Sequence, residues 1–224
     1  MKLAEIVMPL LMVRNEEYWL RRVLRPLCAV FGRALLVDTG STDNTVAEAR
    51  LYPEVEIITY GVCTPQQLGS LRQEISATVA ARYPLIMQVD GDELYHPRAL
   101  AALAAYEVTT PVFAGFVQMV TVDQDESGQL YETDDVFSRL AFWPAGDRHD
   151  GAYPFEAPQI FQRPEFYVHL PLPPALTAHA LHLHRLPRSP HDEQVFMRQE
   201  KRFLCALQSK ALTRTRLCAI QEYE

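Results

Sequence analysis

Two hydrophobic periods alternate along the first hundred residues. Ala4–Val13 is an apolar run of strand length, and Glu16–Phe31 then places Trp19, Leu20, Val23, Leu24, Leu27, Cys28 and Phe31 at helical spacing. Pro26 interrupts that pattern, which predicts a kink or an early end near Arg25. Ala34–Asp38 reads as a compact second strand, Thr39–Asp43 as the loop and cap of another helix, and Glu54–Tyr60 as an alternating third strand. Thr64-Pro65-Gln66-Gln67 has the chemistry of a helix start, with a hydroxyl at the N-cap, proline at the first helical position and glutamine at the third. Leu68, Leu71, Ile75 and Val79 continue it on one face, although Gly69 weakens the pattern. Leu85–Val89 is a fourth expected strand, ending at Asp90-Gly91-Asp92-Glu93.

The second half is less regular. Pro111–Val122 reads as a longer strand, Asp123–Asp135 as a polar hairpin or loop, and Ser138–Trp143 as a further strand. Phe166–Leu186 is punctuated by proline and reads as irregular. Ser189-Pro190-His191-Asp192 repeats the cap-then-proline pattern and opens a final helix expected to reach about Leu207. There is no internal repeat and no evident linker, so residues 1–224 are expected to form one domain, with a ligand-binding half (1–106) and an elaborated half (107–224).

Strands alternating with helices predict an α/β fold: a mostly parallel, Rossmann-like sheet with helices on both faces. In such sheets ligands collect beyond the carboxyl ends of the strands. Asn15-Glu16-Glu17, Asp38-Thr39-Gly40-Ser41 and Asp90-Gly91-Asp92 each follow an expected strand, which points to one composite site.

Composition sharpens this picture. Hydrophobic types make up 48% and charged types 22%, values of a globular chain with a substantial core. Lys and Arg total 21 against 28 Asp and Glu, a net charge of −7, which argues against a general nucleic-acid binder. Cys28, Cys63, Cys205 and Cys218 show no metal-ligand spacing and read as reduced thiols. The N-terminal residues do not read as a secretory signal, and the longest uncharged stretch, Phe166–His184, holds three prolines and four histidines, unsuited to crossing a membrane. The expectation is a cytoplasmic protein, soluble or peripheral to a membrane.

Asp90 and Asp92, joined by glycine, offer hard oxygen donors to a divalent cation, and glycine at 91 is expected to permit backbone angles that a larger residue resists. His182 and His184, two apart on an extended segment, fall on one face.

Three segments in this order resemble the successive signatures of family 2 glycosyltransferases: Val13-Arg14-Asn15-Glu16-Glu17, Val37-Asp38-Thr39-Gly40-Ser41-Thr42-Asp43-Asn44-Thr45, and Val89-Asp90-Gly91-Asp92-Glu93. The resemblance covers residues 4–106 and, more loosely, extends to about Phe203. It implies a GT-A fold with a DxD-type motif, a nucleoside-diphosphate-sugar donor carrying UDP or GDP, Mn²⁺ or Mg²⁺, and transfer with inversion to an acceptor hydroxyl. By motif, Arg14 and Glu16 would line the nucleotide pocket and Asp38 would bond the base. Asp90 would touch ribose or metal, Asp92 would bind the metal, and Arg72 would lie near the diphosphate. The stretch with His182 and His184 looks like the element that completes the metal shell in relatives; spacing does not choose between the two, and His182 is preferred. Asp43 is assigned to capping.

Inversion needs a base for the acceptor hydroxyl. Arg139 ahead of Tyr153-Pro154-Phe155-Glu156 resembles a family stretch ending in His-Glu, with Phe155 in place of the histidine. Glu156 is the preferred base and Asp150 the second candidate. Two other readings stand beside this one. A sugar-phosphate nucleotidyltransferase would need a glycine-rich basic loop after the first strand, which Met12–Glu16 lacks. A non-catalytic sugar-nucleotide-binding protein is the other. Sugar, base and acceptor are not legible in the sequence.

Overall fold

The computed structural model describes residues 1–110, 112–150, 157–190 and 213–223, the side chains of Pro65, Gln66, Asp150 and Ala157 excepted. A short helix α1 (Leu3–Ile6) leads into β1 (Val7–Val13), so the start of the expected strand turns instead. The helix α2 (Leu20–Phe31) carries Pro26 in its interior and continues to Phe31. It stops at Gly32, whose φ of 63° forms the left-handed cap that glycine adopts without strain. The early end expected at Arg25 is therefore not found. Leu20, Val23, Leu24, Leu27, Cys28 and Phe31 are all buried, and this apolar stripe outweighs the local cost of proline.

Next come β2 (Ala34–Asp38), α3 (Thr45–Ala49), β3 (Val55–Thr59), α4 (Pro65–Ala80) and β4 (Leu85–Val89), close to the predicted limits. The capping box at α4 is formed: the Gln67 amide donates to Thr64 Oγ1 at 3.3 Å, and the Thr64 amide donates to Gln67 Oε1 at 2.8 Å. Beyond it lie β5 (Glu93–Tyr95) and α5 (Pro97–Ala105), two elements that the periodicity did not separate.

Strands β3, β2, β1 and β4 lie side by side and parallel. The two apolar clusters of the core sit on opposite faces of this sheet. Val7, Leu11, Leu36 and Met87 join α2 and α5 on one face, while Met8, Leu10, Leu35 and Ile86 meet Leu71, Ile75 and Val79 of α4 on the other. Burial on both faces explains why these strands are continuous apolar runs. The fold class is α/β, with helices on both faces.

The sheet then turns mixed. A hairpin of β6 (Ala114–Gln124) and β7 (Leu130–Pro144) pairs antiparallel, and β7 joins β4 through Leu85–Met87 against Phe142–Pro144. The expected polar segment is thus a tight turn, with the return strand starting at Leu130. The pair β8 (His149–Asp150) and β9 (Ala157–Pro158) stands apart. In the stretch read as irregular, β10 (Tyr167–His169) and β11 (Ala180–His182) both run parallel to β6, and β11 also pairs with β5. Strand β12 (Arg214–Leu217) edges β7. The helix expected over Ser189–Leu207 lies, from His191 onward, outside the described residues. Among those residues no helix is long and apolar enough to cross a membrane.

Burial pushes the Cys28 thiol up to about 11 and the Cys218 thiol up to about 12, so both stay protonated at neutral pH. His179 (1% exposed) joins β6 to the segment before β11: its Nδ1 accepts the Gln118 amide at 3.0 Å, and its Nε2 lies 3.1 Å from the Pro171 carbonyl. Accepting at Nδ1 requires a neutral ring, and burial lowers its pKa below 6.5. The unfolded chain then binds a proton that the folded chain refuses. Stability is complete above the unfolded value and declines as pH falls through it. Urea unfolding between about pH 7.5 and 5.5 should show this loss, at most about 1.4 kcal/mol per pH unit from this group, and His179→Asn should flatten it. An unaltered slope in the variant would count against this role.

Candidate functional site

The crevice between β1 and β4 is the point where chain order reverses: β1 leads through α2 to β2 on one side, and β4 returns on the other. Such switch points, at strand carboxyl ends, are where open α/β sheets bind ligands. The loops after β1, β2 and β4 meet at this edge, since Val13 pairs with Asp38 and Leu11 with Val89.

The first two loops are laced by hydrogen bonds. Asn15, at φ 55°, donates its amide to Ser41 Oγ at 2.9 Å and accepts the Thr42 amide on Oδ1 at 2.8 Å. The Glu16 amide donates to Thr45 Oγ1 at 2.7 Å, and Glu17 accepts the Asn44 amide at 2.7 Å. Asp43 accepts the Thr45 amide at 2.9 Å and the Glu17 amide at 3.3 Å; the N-cap of α3 is Asn44, so Asp43 closes the turn ahead of the helix instead of capping it as expected. Asp38 (2% exposed) accepts the Ser41 amide at 3.0 Å, closing its own turn. Asn tolerates a left-handed backbone better than most residues, which suits position 15.

Lacing holds the Glu16 side chain under the third loop. Glu16 and Asp92 are both buried, and one guanidinium joins them: Arg188 Nη1 lies 2.7 Å from Glu16 Oε1, and Nη2 lies 2.5 Å from Asp92 Oδ2. Arg188 escaped the sequence reading; a single arginine far along the chain carries no local signal. Gly91 is explained by the same packing. It does not have a positive φ, so the backbone freedom expected of it is not what the site uses. A Cβ there would instead lie 2.5 Å from Glu16 Cγ.

A second arginine serves the other carboxylates. Arg139 Nη2 lies 3.0 Å from Asp90 Oδ2, and its Nη1 pairs with buried Glu93. Burial raises the Asp90 carboxyl, but the attraction of Arg139 and Arg72 and the Gln88 amide outweigh it, and its pKa lies below the ordinary value. Burial pushes Glu93 well above the usual carboxylate range, with Arg139 only partly opposing. Arg72, carried by α4 on the opposite face of the sheet, also attracts the Asp90 carboxylate. Arg14 is exposed at the head of the first loop.

His182 and His184 do fall on one face, their rings 3.9 Å apart, and His182 contributes to the attraction that lowers Asp90. The Leu183 amide between them donates to the Asp92 carbonyl at 2.8 Å, which ties β11 to the acidic loop. Among the described residues no three His, Cys, Asp or Glu side chains gather as a metal cluster. The donor set nonetheless fits Mg²⁺ or Mn²⁺, which take one or two carboxylates and leave other positions to substrate phosphates. Two carboxylates already converge on one positive group. Glu156 lies outside the described residues, and Asp150 is placed only by its backbone in β8, next to His149, whose amide donates to Gln73 of α4 at 2.7 Å.

No protein-family model and no curated protein matches the chain. Solved structures do. One is glucosyl-3-phosphoglycerate synthase from Mycobacterium tuberculosis with Mn²⁺, UDP and glucosyl-3-phosphoglycerate: 16% identity, TM-score 0.39, 54% of this chain and 46% of that one. Its complex with UDP alone gives 16% identity and TM-score 0.40 over 56% of this chain and 48% of that one. S. aureus TarS 1-349 with UDP gives 20% identity and TM-score 0.32 over 39% of this chain and 28% of that one. Each match spans less than half of the other chain, and the likeness goes no further than the fold.

Packing of Gly91 on Glu16 makes a direct prediction. Gly91→Ala should destabilise by about 1–3 kcal/mol, because the ion pair to Arg188 keeps Glu16 from yielding. Glu16→Ala in the same chain should relieve part of that cost, seen as non-additivity in a urea double-mutant cycle. Strict additivity would contradict the contact.

Proposed function

We propose that the protein is a divalent-cation-dependent glycosyltransferase, moving a sugar from a UDP- or GDP-sugar to an acceptor hydroxyl with inversion. The observation that carries this reading is the meeting of Asp38, Glu16, Asp90 and Asp92 at the carboxyl ends of three adjacent strands. Such an edge offers an acceptor for a nucleobase or ribose beside oxygen donors for a cation, with arginines at hand for phosphates.

Asp38 and the loop after β1, with Arg14, bind the nucleoside, and Asp90 orients the ribose or the cation. Asp92, with His182 or His184 beside it, holds the cation, which when bound neutralises charge on the leaving diphosphate. Arg72 acts on the same charge from α4. Glu156, or Asp150 in second place, accepts the proton of the acceptor hydroxyl as that oxygen attacks the anomeric carbon and the nucleoside diphosphate departs. The oxygen–carbon bond forms opposite the one that breaks, which gives inversion.

Incubation with UDP- and GDP-sugars, Mn²⁺ and a panel of hydroxyl acceptors should release nucleoside diphosphate and glycosylated product. Release of pyrophosphate from a nucleoside triphosphate and sugar phosphate would indicate nucleotidyl transfer instead. Asp92→Asn should lower turnover by about a hundredfold or more, the scale seen when a group stabilising leaving charge is removed, read below the variant's own melting temperature because the loss of the Arg188 partner also lowers stability. Undiminished turnover in that variant would remove Asp92 from the mechanism.

A further inference from the structure

We infer that Arg188 is an exchangeable counter-ion: its guanidinium and a divalent cation compete for the same pair of carboxylates, Glu16 and Asp92. This rests on the reading above, in which Asp92 holds the cation, and adds Glu16 and Arg188 to that site.

Two observations and a charge argument carry it. The guanidinium contacts both carboxylates, at 2.7 and 2.5 Å, so it fills the space between them. Glu16 is 3% and Asp92 2% exposed, which leaves little room for a second cation to approach both while the arginine stays. Charge favours the exchange as well: a divalent ion brings two positive charges to two carboxylates, where the guanidinium brings one. Burying carboxylates without compensation is costly, which favours a cation held between this pair.

The exchange needs no refolding. The backbone at Arg188 is pinned: the Trp19 indole donates to the Pro187 carbonyl at 2.7 Å, and the Tyr18 amide donates to the Arg188 carbonyl at 3.0 Å. Leu186 and Ser189 on either side are buried. The Arg188 side chain is 24% exposed, so rotation about its own bonds carries the guanidinium toward solvent while the segment stays docked. Both anchors lie in the loop that carries Glu16, so guanidinium and carboxylate keep their register.

The test is Mn²⁺ binding to the protein alone, followed by the paramagnetic resonance of free Mn²⁺ and by thermal shift. Arg188→Gln should bind Mn²⁺ at least about tenfold more tightly than wild type, because an arginine that closes the site nine-tenths of the time lowers apparent affinity by that factor. Without metal the variant should melt lower than wild type, and Mn²⁺ should restore more of its stability. Arg188→Lys, which keeps the charge but not the two-pronged contact, should fall between the two and serves if the glutamine variant does not fold. Glu16→Gln should weaken Mn²⁺ binding. Equal or weaker binding in both Arg188 variants, or no binding by any of the proteins, overturns the inference. Asp92→Asn separates the two levels: if it alone abolishes Mn²⁺ binding while the Arg188 variants match wild type, the site stands and the competition fails. If Asp92→Asn binds Mn²⁺ like wild type, the reading of Asp92 as cation ligand fails.

Discussion

Carboxylates gathered at one sheet edge must be compensated, and the rest of this molecule is arranged around that requirement. Glu16, Asp38, Asp92 and Glu93 are all nearly inaccessible to water. Ionised groups in such places persist only with hydrogen bonds or opposite charge close by. Asp38 takes backbone amide bonding from its own turn, Arg188 pairs with Glu16 and Asp92, and Arg139 pairs with Glu93. Both arginines belong to the second half of the chain, so the charge requirement of the first half couples it to β7 and to the segment beyond β11. Removing one partner of such a set costs far more than the pair is worth in net stability.

The same constraint links geometry to chemistry. At this edge the acidic groups of separate loops face two guanidinium groups, Arg188 on Glu16 and Asp92 and Arg139 on Asp90 and Glu93. Hydrogen bonds between the loops after β1 and β2 supply the rigidity this arrangement needs, since Asn15, Glu17, Asp43 and Ser41 satisfy backbone groups across the two loops. Few degrees of freedom are left to be ordered in these loops, which is how preorganisation favours binding of any ligand.

Elements with strong local signals were legible in the chain itself. Strands β2 and β4 are short apolar runs, Ala34–Asp38 and Leu85–Val89, each bounded by turn chemistry, and a helix has no room to form there. The Thr64 capping box set the start of α4. Local reasoning failed at α1, where the head of an apolar run turns helical, and at β5, whose short stretch pairs with β11 far along the chain. It also failed at Gly91, where the glycine answers a neighbour's side chain and not its own φ.

Sequence by itself determined the alternation of buried strands and helices, the three acidic loops and their order, and the helical and extended periods that put Leu71 with Ile75 and His182 with His184. These follow from spacing along the backbone. Only the tertiary structure decided which cation meets which carboxylate. Arg188 reaches Asp92 across 96 positions and Arg139 reaches Glu93 across 46. A pairing at that separation is set by sheet order and loop packing, for which no local pattern of residues carries a signal.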